Sequence, residues 1–461
     1  MSSESISKSV IWQLIGKFAL QGVAFFTTPI FTRILTPENY GTIALYTSWS
    51  SILMVILSLQ TFGAIATARI RFSKEEMPAY LSSTLSISVI AYAIFFCVII
   101  GFRVFFSKLF GLDETLVSLL LLHSFASYVI AFFVAYLDQH KKVVQSSLIS
   151  VSSTICSIAL ALIFVLNFEN KVYGKVFGQA IPIVIFGTII LLVIYLRGRC
   201  FWNSSYNKYC LLLTMPLVVH GLGHMVFTQA DRILLQRFQR ESVLGIYSVT
   251  YSLCSVLSII FVAVNTAWVP FYYDFKKTNN IEAIREHSKR YIKLITLMFI
   301  GFILLSFDVF KLMAPEPYWN GIKIIPIFVA SFYFSYLYHF PVNFEYYHEK
   351  TKLIPVATII VAIINIILDV FLIPRYAAFG AVFATMISQV LLFTFHFVVS
   401  RFVIKERFDY KITFFLIPAF IVMIFVGISY FLIDYQYIRW LLFVLVAAYV
   451  SYDVLKHRSI F

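Results

Sequence analysis

The chain has 461 residues, of which 61% are hydrophobic and only 13% charged, and Phe alone accounts for 49. Soluble domains run at about 45–50% apolar and about 25% charged, so this inventory excludes a water-soluble globule and suits a chain solvated by lipid. The net charge of +14 does not indicate nucleic-acid binding, because the basic residues fall in short clusters between apolar runs and form no single patch.

A membrane span needs about 20 mostly apolar residues, and on that criterion the sequence predicts roughly fourteen. They begin near Val10, Tyr40, Leu81, Thr115, Val144, Gly174, Cys210, Val243, Tyr291, Gly321, Ile354, Gly380, Ile412 and Ile438. The first carries Lys17 and lacks a small-residue cleavage site, so it reads as a span and not as a signal peptide. The connections are too short to fold as soluble domains. With the N-terminus inside, the inner segments hold about 23 Lys and Arg against about 12 outside, the bias of the positive-inside rule. A missed span would reverse every later loop, so the persistence of the bias argues for an even number. One inner segment, Phe275 to Ile295, sets Ile281, Ile284, Tyr291, Ile292 and Ile295 among Lys277, Arg285, Glu286, Lys289 and Arg290. It suits either an amphipathic helix on the inner leaflet or a plain charged connector.

The two halves of the chain echo one another. Arg33-Ile34-Leu35 recurs as Arg232-Ile233-Leu234, and Tyr40-Gly41-Thr42-Ile43 is echoed by Leu244-Gly245-Ile246-Tyr247. Tyr173-Gly174-Lys175-Val176-Phe177-Gly178 is echoed by Phe379-Gly380-Ala381-Val382-Phe383-Ala384. Three matches in order, at an offset of roughly 200 residues, indicate an internal duplication. About six spans per repeat is an even number, so both repeats enter from the same side and their pseudo-two-fold axis runs along the membrane normal. The expected fold is therefore an all-α integral membrane protein of about 14 transmembrane helices. Its expected divisions are a six-helix bundle over 1–200, a second over 201–411, and two additional helices over 412–461. Transporters built this way bind substrate where the bundles meet.

Charged groups inside spans cost about 2.5–3.5 kcal/mol each at mid-helix, which makes them the default functional candidates. Lys17 lies within the first span, either snorkelling to the inner interface or facing a cavity. Asp231 and Arg232 end the seventh span, as anchors at the membrane edge or as cavity charges, and Arg33 is the repeat counterpart of Arg232. His220 and His224 are four apart and share a helical face, but no third ligand or partnering Glu accompanies them, so no metal is expected. Asn365 and Asp369 share a face in the same way, and Asp369 suits pairing with a cavity cation or carrying a coupling proton. Glu345 and Asp138 sit near the inner ends of their spans, as interfacial groups would. His339, Gln179, Gln389 and His396 suit helix–helix hydrogen bonds. Pro29, Pro182, Pro216 and Pro341 interrupt spans, as tolerated kinks or as hinges.

The five cysteines form no CxxC pair and are expected to be free thiols. No nucleophile elbow, Walker loop, HExxH or DxD pair sits in a loop able to hold a site, so no catalytic residue, no cofactor and no enzyme activity are expected. Without an ATP site, any energy for transport comes from a gradient or from downstream pull.

Pro37-Glu38-Asn39-Tyr40-Gly41, Asp231-Arg232, Leu244-Gly245-Ile246-Tyr247, and Ile373-Pro374 followed by Gly380-Ala381-Val382 carry a family likeness. On these the chain resembles the Wzx-type polysaccharide-biosynthesis flippases of the multidrug/oligosaccharidyl-lipid/polysaccharide exporter superfamily. Many relatives have twelve spans, fewer than are counted here. The resemblance implies translocation of undecaprenyl-pyrophosphate-linked oligosaccharide repeat units across the bacterial cytoplasmic (inner) membrane. Their destination would be O-antigen, lipopolysaccharide or capsule, reached by alternating access through a polar cavity. It implies as partners the lipid-linked oligosaccharide, membrane lipids, and a polysaccharide polymerase with its chain-length regulator. Lys17, Arg33 and Arg232 would then face pyrophosphate, with His220, His224, Asp231, Asn365 and Asp369 completing the substrate site. A cation-coupled multidrug exporter of the same superfamily and a membrane-embedded polymerase or transferase are the competing readings.

Overall fold

A computed structural model describes residue 22 and residues 25–457 of the chain. Residues 25–34 are helical, and most of the expected first span, with Lys17, lies outside the described residues. Beyond it, thirteen helices among the described residues are long and apolar enough to cross a membrane. There is no strand among the described residues. A bilayer leaves no other choice for an open chain, because each backbone amide must be satisfied within its own segment.

The helices are α1 Pro37–Ser58, α2 Met77–Gly101, α3 Glu114–Gln139, α4 Val143–Asn167, α5 Lys171–Gly198, α6 Ser204–Phe238 and α7 Glu241–Lys277. They continue as α8 Ile281–Met313, α9 Glu316–Tyr347, α10 Leu353–Tyr376, α11 Ala378–Val403, α12 Ile412–Phe431 and α13 Gln436–Lys456. Every expected span from Tyr40 onward falls on one of them. Contacts divide the chain into two compact units, one ending at Gly245 and the other beginning at Ile246.

Local chemistry explains the boundaries. Thr36 caps α1 by accepting from the Asn39 amide at 3.3 Å, with Pro37 at the first turn, where its missing N–H costs nothing. Asp113, Asn170 and Asn203 cap α3, α5 and α6 through side-chain oxygens that accept backbone amides 2.9–3.2 Å away. Asn280 does the same for α8 at 3.0 Å.

In the first unit, α4 and α5 form a tight hairpin because glycines line its seam. A Cβ on Gly178 would lie 2.3 Å from the Ala161 Cα, and one on Gly174 would lie 2.7 Å from the Phe164 carbonyl oxygen. Small residues let backbones approach where lipid supplies no hydrophobic drive between helices. Gly41 of α1 and Gly245 of α7, matched positions in the duplication, lie against one another. A Cβ on Gly41 would meet the Glu241 carbonyl oxygen at 2.0 Å, and one on Gly245 the Pro37 carbonyl oxygen at 1.9 Å. The interior of this unit is laced by the serine run of α2. Ser83 Oγ donates to Asn207 Oδ1 at 2.9 Å, Ser86 Oγ bonds Tyr195 OH at 2.7 Å, and Ser88 Oγ donates to the Ser58 carbonyl at 2.8 Å.

The second unit is held differently. Its centre is aromatic: Trp268, Tyr291, Tyr333, Tyr336 and Phe340 are all buried, with ring centroids of Tyr291 and Tyr336 at 5.5 Å and of Tyr336 and Phe340 at 5.6 Å. α9 is the most buried span and is jointed, running as a 3-10 segment to Ile324, then as helix to Leu337 and again from His339. α10 and α11 repeat the hairpin of α4 and α5: a Cβ on Gly380 would meet the Leu372 carbonyl oxygen at 2.4 Å. Their connection is the single residue Ala377, at φ 50°. α11 ends in a π-helical turn, Val399–Val403.

The charged segment before Tyr291 is helical and continuous with the span that follows. α8 has 33 residues, about 50 Å at 1.5 Å each, longer than the bilayer core. Ile284, Ser288, Tyr291 and Ile292 are buried along one side, while Arg285 and Lys289 stay exposed. It is thus the first turns of a span and not a separate interfacial helix.

Candidate functional site

α6 carries four of the expected site residues. His220 is half-buried, His224 exposed, Asp231 buried at 5% exposure and Arg232 half-buried. His220 and Asp231 are eleven residues apart, about 16 Å along the helix, so the four line the span at different depths. Arg232 turns back on its own helix, donating from Nη1 to Gln229 Oε1 at 2.8 Å and to the Thr228 carbonyl at 3.2 Å. Its repeat counterpart behaves alike: Arg33 is exposed and donates from Nη1 to the Pro29 carbonyl at 2.7 Å, an acceptor four residues back. Both arginines thus direct Nη1 to carbonyl groups three or four residues back on their own helices.

In the second unit, Asn365 and Asp369 are both fully buried on one face of α10, while Ile363, Ile367, Val370 and Phe371 on the other faces are exposed. Lipid-facing apolar residues and an inward polar pair on one helix are the arrangement expected of a polar group retained for function. Neither side-chain atom of Asn365 finds a hydrogen-bond partner among the described residues. No group of three or more His, Cys, Asp or Glu side chains is placed to hold a metal ion among the described residues.

Three features lay outside the sequence-derived set. The first is Lys175, five residues into α5 and only 7% exposed. Its Nζ lies 3.0 Å from the centroid of the Phe31 ring, and it makes no ion pair among the described residues. A buried ammonium held only by an aromatic face retains its donors for an incoming anion. The signal was present, because Lys175 is the one charge in the duplicated Tyr173–Gly178 segment and corresponds in sequence to Ala381 of the other copy. It passed unnoticed because it stands beside the expected start of a span, where lysines serve as anchors.

The second is a buried pair. Glu345, placed at the inner interface by its position in the sequence, is instead 0% exposed, and its Oε1 lies 2.8 Å from Nδ1 of His396, also 0% exposed. Ser400 Oγ donates to the Pro341 carbonyl at 3.1 Å and lies 3.5 Å from the same Glu345 oxygen. Glu345 Oε2 and His396 Nε2 are buried without hydrogen-bond partners among the described residues. Asp138, the other carboxylate assigned to an inner end, accepts from Ser146 Oγ at 2.5 Å.

The third ties α13 to α8. Both carboxylate oxygens of Asp308 accept from Arg439 Nη2 at 2.9 Å, and Trp440 Nε1 donates to one of them at 3.1 Å. Near the other end of α13, Asp453 pairs with Lys293 Nζ of α8 at 2.9 Å. Neither acid–base pair is predictable from spacing along one helix.

Comparison with known proteins narrows what these features belong to. An uncharacterized membrane protein of Haemophilus influenzae is 22% identical over 397 residues, covering 82% of this chain and 94% of that protein. A Haloferax volcanii protein named "Probable flippase AglR" is 24% identical over 247 residues, 51% of this chain and 50% of its own. Among solved structures, the lipid II flippase MurJ in an inward closed conformation superposes with a TM-score of 0.75 at 17% identity, over 97% of this chain and 99% of that one. That likeness is one of fold. The sequence profile of the polysaccharide biosynthesis proteins matches residues 6–276, more than half of the chain. The chain is a multi-pass membrane protein that belongs to the polysaccharide biosynthesis protein family.

Proposed function

We propose that this protein moves a polyprenyl-pyrophosphate-linked oligosaccharide from the inner to the outer leaflet of the bacterial cytoplasmic membrane, by alternating access, for assembly into a surface polysaccharide. The observation that carries the reading is the family match over residues 6–276. It is supported by a fold shared along nearly the whole length with a lipid-linked-precursor flippase, and by a relative named as a flippase. The chemistry agrees. The substrate head carries negative charge and sugar hydroxyls, and the chain offers Lys175, Arg33 and Arg232 as donors to phosphate. His220, Asp231 and Asn365 offer hydrogen bonds to sugars. In this proposal the bundles over 1–200 and 201–411 are the moving halves, Asp369 is the coupling carboxylate, and a polymerase consumes the product.

The test is a clean deletion in the native host. Surface polysaccharide should be lost and lipid-linked repeat units should accumulate facing the cytoplasm, with both effects reversed by the wild-type chain. Unchanged surface polysaccharide in the deletion strain would refute the proposal. Reconstitution gives the direct measurement: proteoliposomes should expose a lipid-linked oligosaccharide to an external lectin faster than protein-free vesicles do.

A further inference from the structure

The inner end of α8 lies beside the start of α12, and together they form a groove of about 580 Å³ in the second unit. Its walls are apolar, from Ile292, Leu297 and Ile300 of α8 and Phe414, Ile417 and Ile421 of α12. Its mouth is basic, with Arg285, Lys289 and Lys293 at successive four-residue steps along one face of α8 and Lys411 across from them. A polar recess of about 890 Å³ shares those three α8 residues, adds Arg407, and also carries the carboxylates of Glu282, Glu286 and Asp453.

Of the acidic groups nearby, Glu282 and Glu286 are exposed and face the recess but not the apolar groove, and the two that reach its mouth are paired. Asp453 pairs with Lys293 at 2.9 Å, and the Asp409 carboxylate accepts from Tyr272 OH at 2.7 Å and Lys276 at 3.1 Å. Arg285 Nε donates to the Asp409 carbonyl at 3.3 Å. Lys289 and Lys411 are exposed and make no ion pair among the described residues. Two ammonium groups outside any ion pair among the described residues thus stand at the mouth of an apolar groove, at the helix ends that the positive-inside bias places on the cytoplasmic side.

We propose that this groove is a binding site for an anionic phospholipid of the cytoplasmic leaflet. The headgroup phosphate lies between Lys289 and Lys411, and an acyl chain lies along Ile292, Leu297, Phe414 and Ile417. Charge complementarity and shape select this occupant. A free phosphate would satisfy the lysines but leave the apolar walls unfilled, and a zwitterionic lipid would fill the walls but add an ammonium group to a basic mouth. Basic pockets between transmembrane helices on the cytoplasmic side hold acidic headgroups for this reason. A volume near 580 Å³ is in the range of about 300–1,000 Å³ that holds a small amphiphile.

The experiment is native mass spectrometry of the full purified chain titrated with phosphatidylglycerol, phosphatidylcholine, inorganic phosphate or undecaprenyl phosphate. Phosphatidylglycerol should bind in preference to phosphatidylcholine. Lys289→Gln and Lys411→Gln should each weaken it ~5-fold, and together ~25-fold, as expected for one basic group apiece near a membrane surface. Ile417→Trp, which fills the groove with the lysines intact, should also weaken it. Both lysines are exposed, so their variants keep the fold, checked by unchanged elution and helical content. The proposal is overturned by equal binding of the two phospholipids, by retention unchanged in the double-lysine variant, or by loss of the bound lipid on adding inorganic phosphate alone. Tighter binding of undecaprenyl phosphate at the same residues also overturns it, since the groove would then belong to the transported substrate. None of these outcomes depends on whether the deletion strain loses its polysaccharide.

Discussion

Replacing His396 by Leu isolates the energetics of the second unit's interior. The substitution removes the one group within 3.0 Å of Glu345 Oε1 and leaves a carboxyl at 0% exposure with only Ser400 Oγ, at 3.5 Å. Breaking a buried pair by removing one partner costs about 3–5 kcal/mol, whereas replacing both partners by apolar groups of similar volume is neutral or stabilising. His396→Leu and Glu345→Met should therefore each destabilise by that amount, and the double variant should return to within about 1 kcal/mol of the parent. The coupling energy would be several kcal/mol, far above the ~0.6 kcal/mol average for polar contacts between membrane helices, because here both side chains are 0% exposed. For a cooperative unit of about 200 residues each kcal/mol moves the midpoint by about 2–4 °C, so each single variant should lose roughly 6–20 °C. Thermal unfolding of purified protein can be followed by a thiol-reactive dye, since Cys210 and Cys254 are buried; Cys97, Cys156 and Cys200 would be replaced by Ala. Additivity of the two single losses within about 0.5 kcal/mol would show that Glu345 and His396 do not act as a pair and would refute the reasoning.

Three further outcomes follow from other residues. Lys175→Met should abolish export while changing stability by about 1 kcal/mol or less, because a desolvated cation–π contact of about 2 kcal/mol nearly offsets a buried charge costing about 2.5–3.5 kcal/mol at mid-membrane and less near its edge. Wild-type export in this variant, measured beside its level in the membrane, would remove Lys175 from the site. Gly41→Val and Gly245→Val each place a Cβ about 2 Å from a backbone oxygen that cannot rotate away. Overpacking of this kind costs about 1–3 kcal/mol or more, read as loss of folded protein in detergent, and a parental melting temperature would contradict the close contact of α1 and α7. His348 lies outside the spans, and burial first, then the Lys276 ammonium, lowers its imidazole below the ordinary 6.5. The unfolded chain then takes up its proton first, so stability should fall as pH drops through 6.5 toward the folded-state value. His348→Asn should flatten that part of the stability–pH curve, measured by chemical unfolding at several pH values.

The spans were legible because lipid imposes a one-dimensional rule: about 20 apolar residues, written consecutively. The pairs were not, because the partner of a membrane charge comes from another helix. Asp308 and Arg439 are 131 positions apart and Glu345 and His396 are 51 apart, beyond any rule of spacing. Hydropathy also misled at the edges, where Glu345 read as interfacial because it stood near an expected boundary and Lys175, beside another, did not stand out. The pattern of the segment before Tyr291 was visible, but its fusion with the span was not, since nothing between Arg290 and Lys293 breaks a helix. The duplication located Gly41 and Gly245 as counterparts, yet only packing reveals that counterparts touch.

The attachment of α13 bears on how the chain is assembled. Only 6% of its apolar window is buried, so dispersion forces hold it weakly, and its position is set by two ionic rivets, Asp308–Arg439 near one end and Lys293–Asp453 near the other. A helix fastened in this way can enter the bilayer as an independent passenger and snap into register late, once both rivets close. Until it does, the Asp308 carboxylate of α8 lacks the Arg439 guanidinium and the Trp440 N–H that hold it in the finished fold.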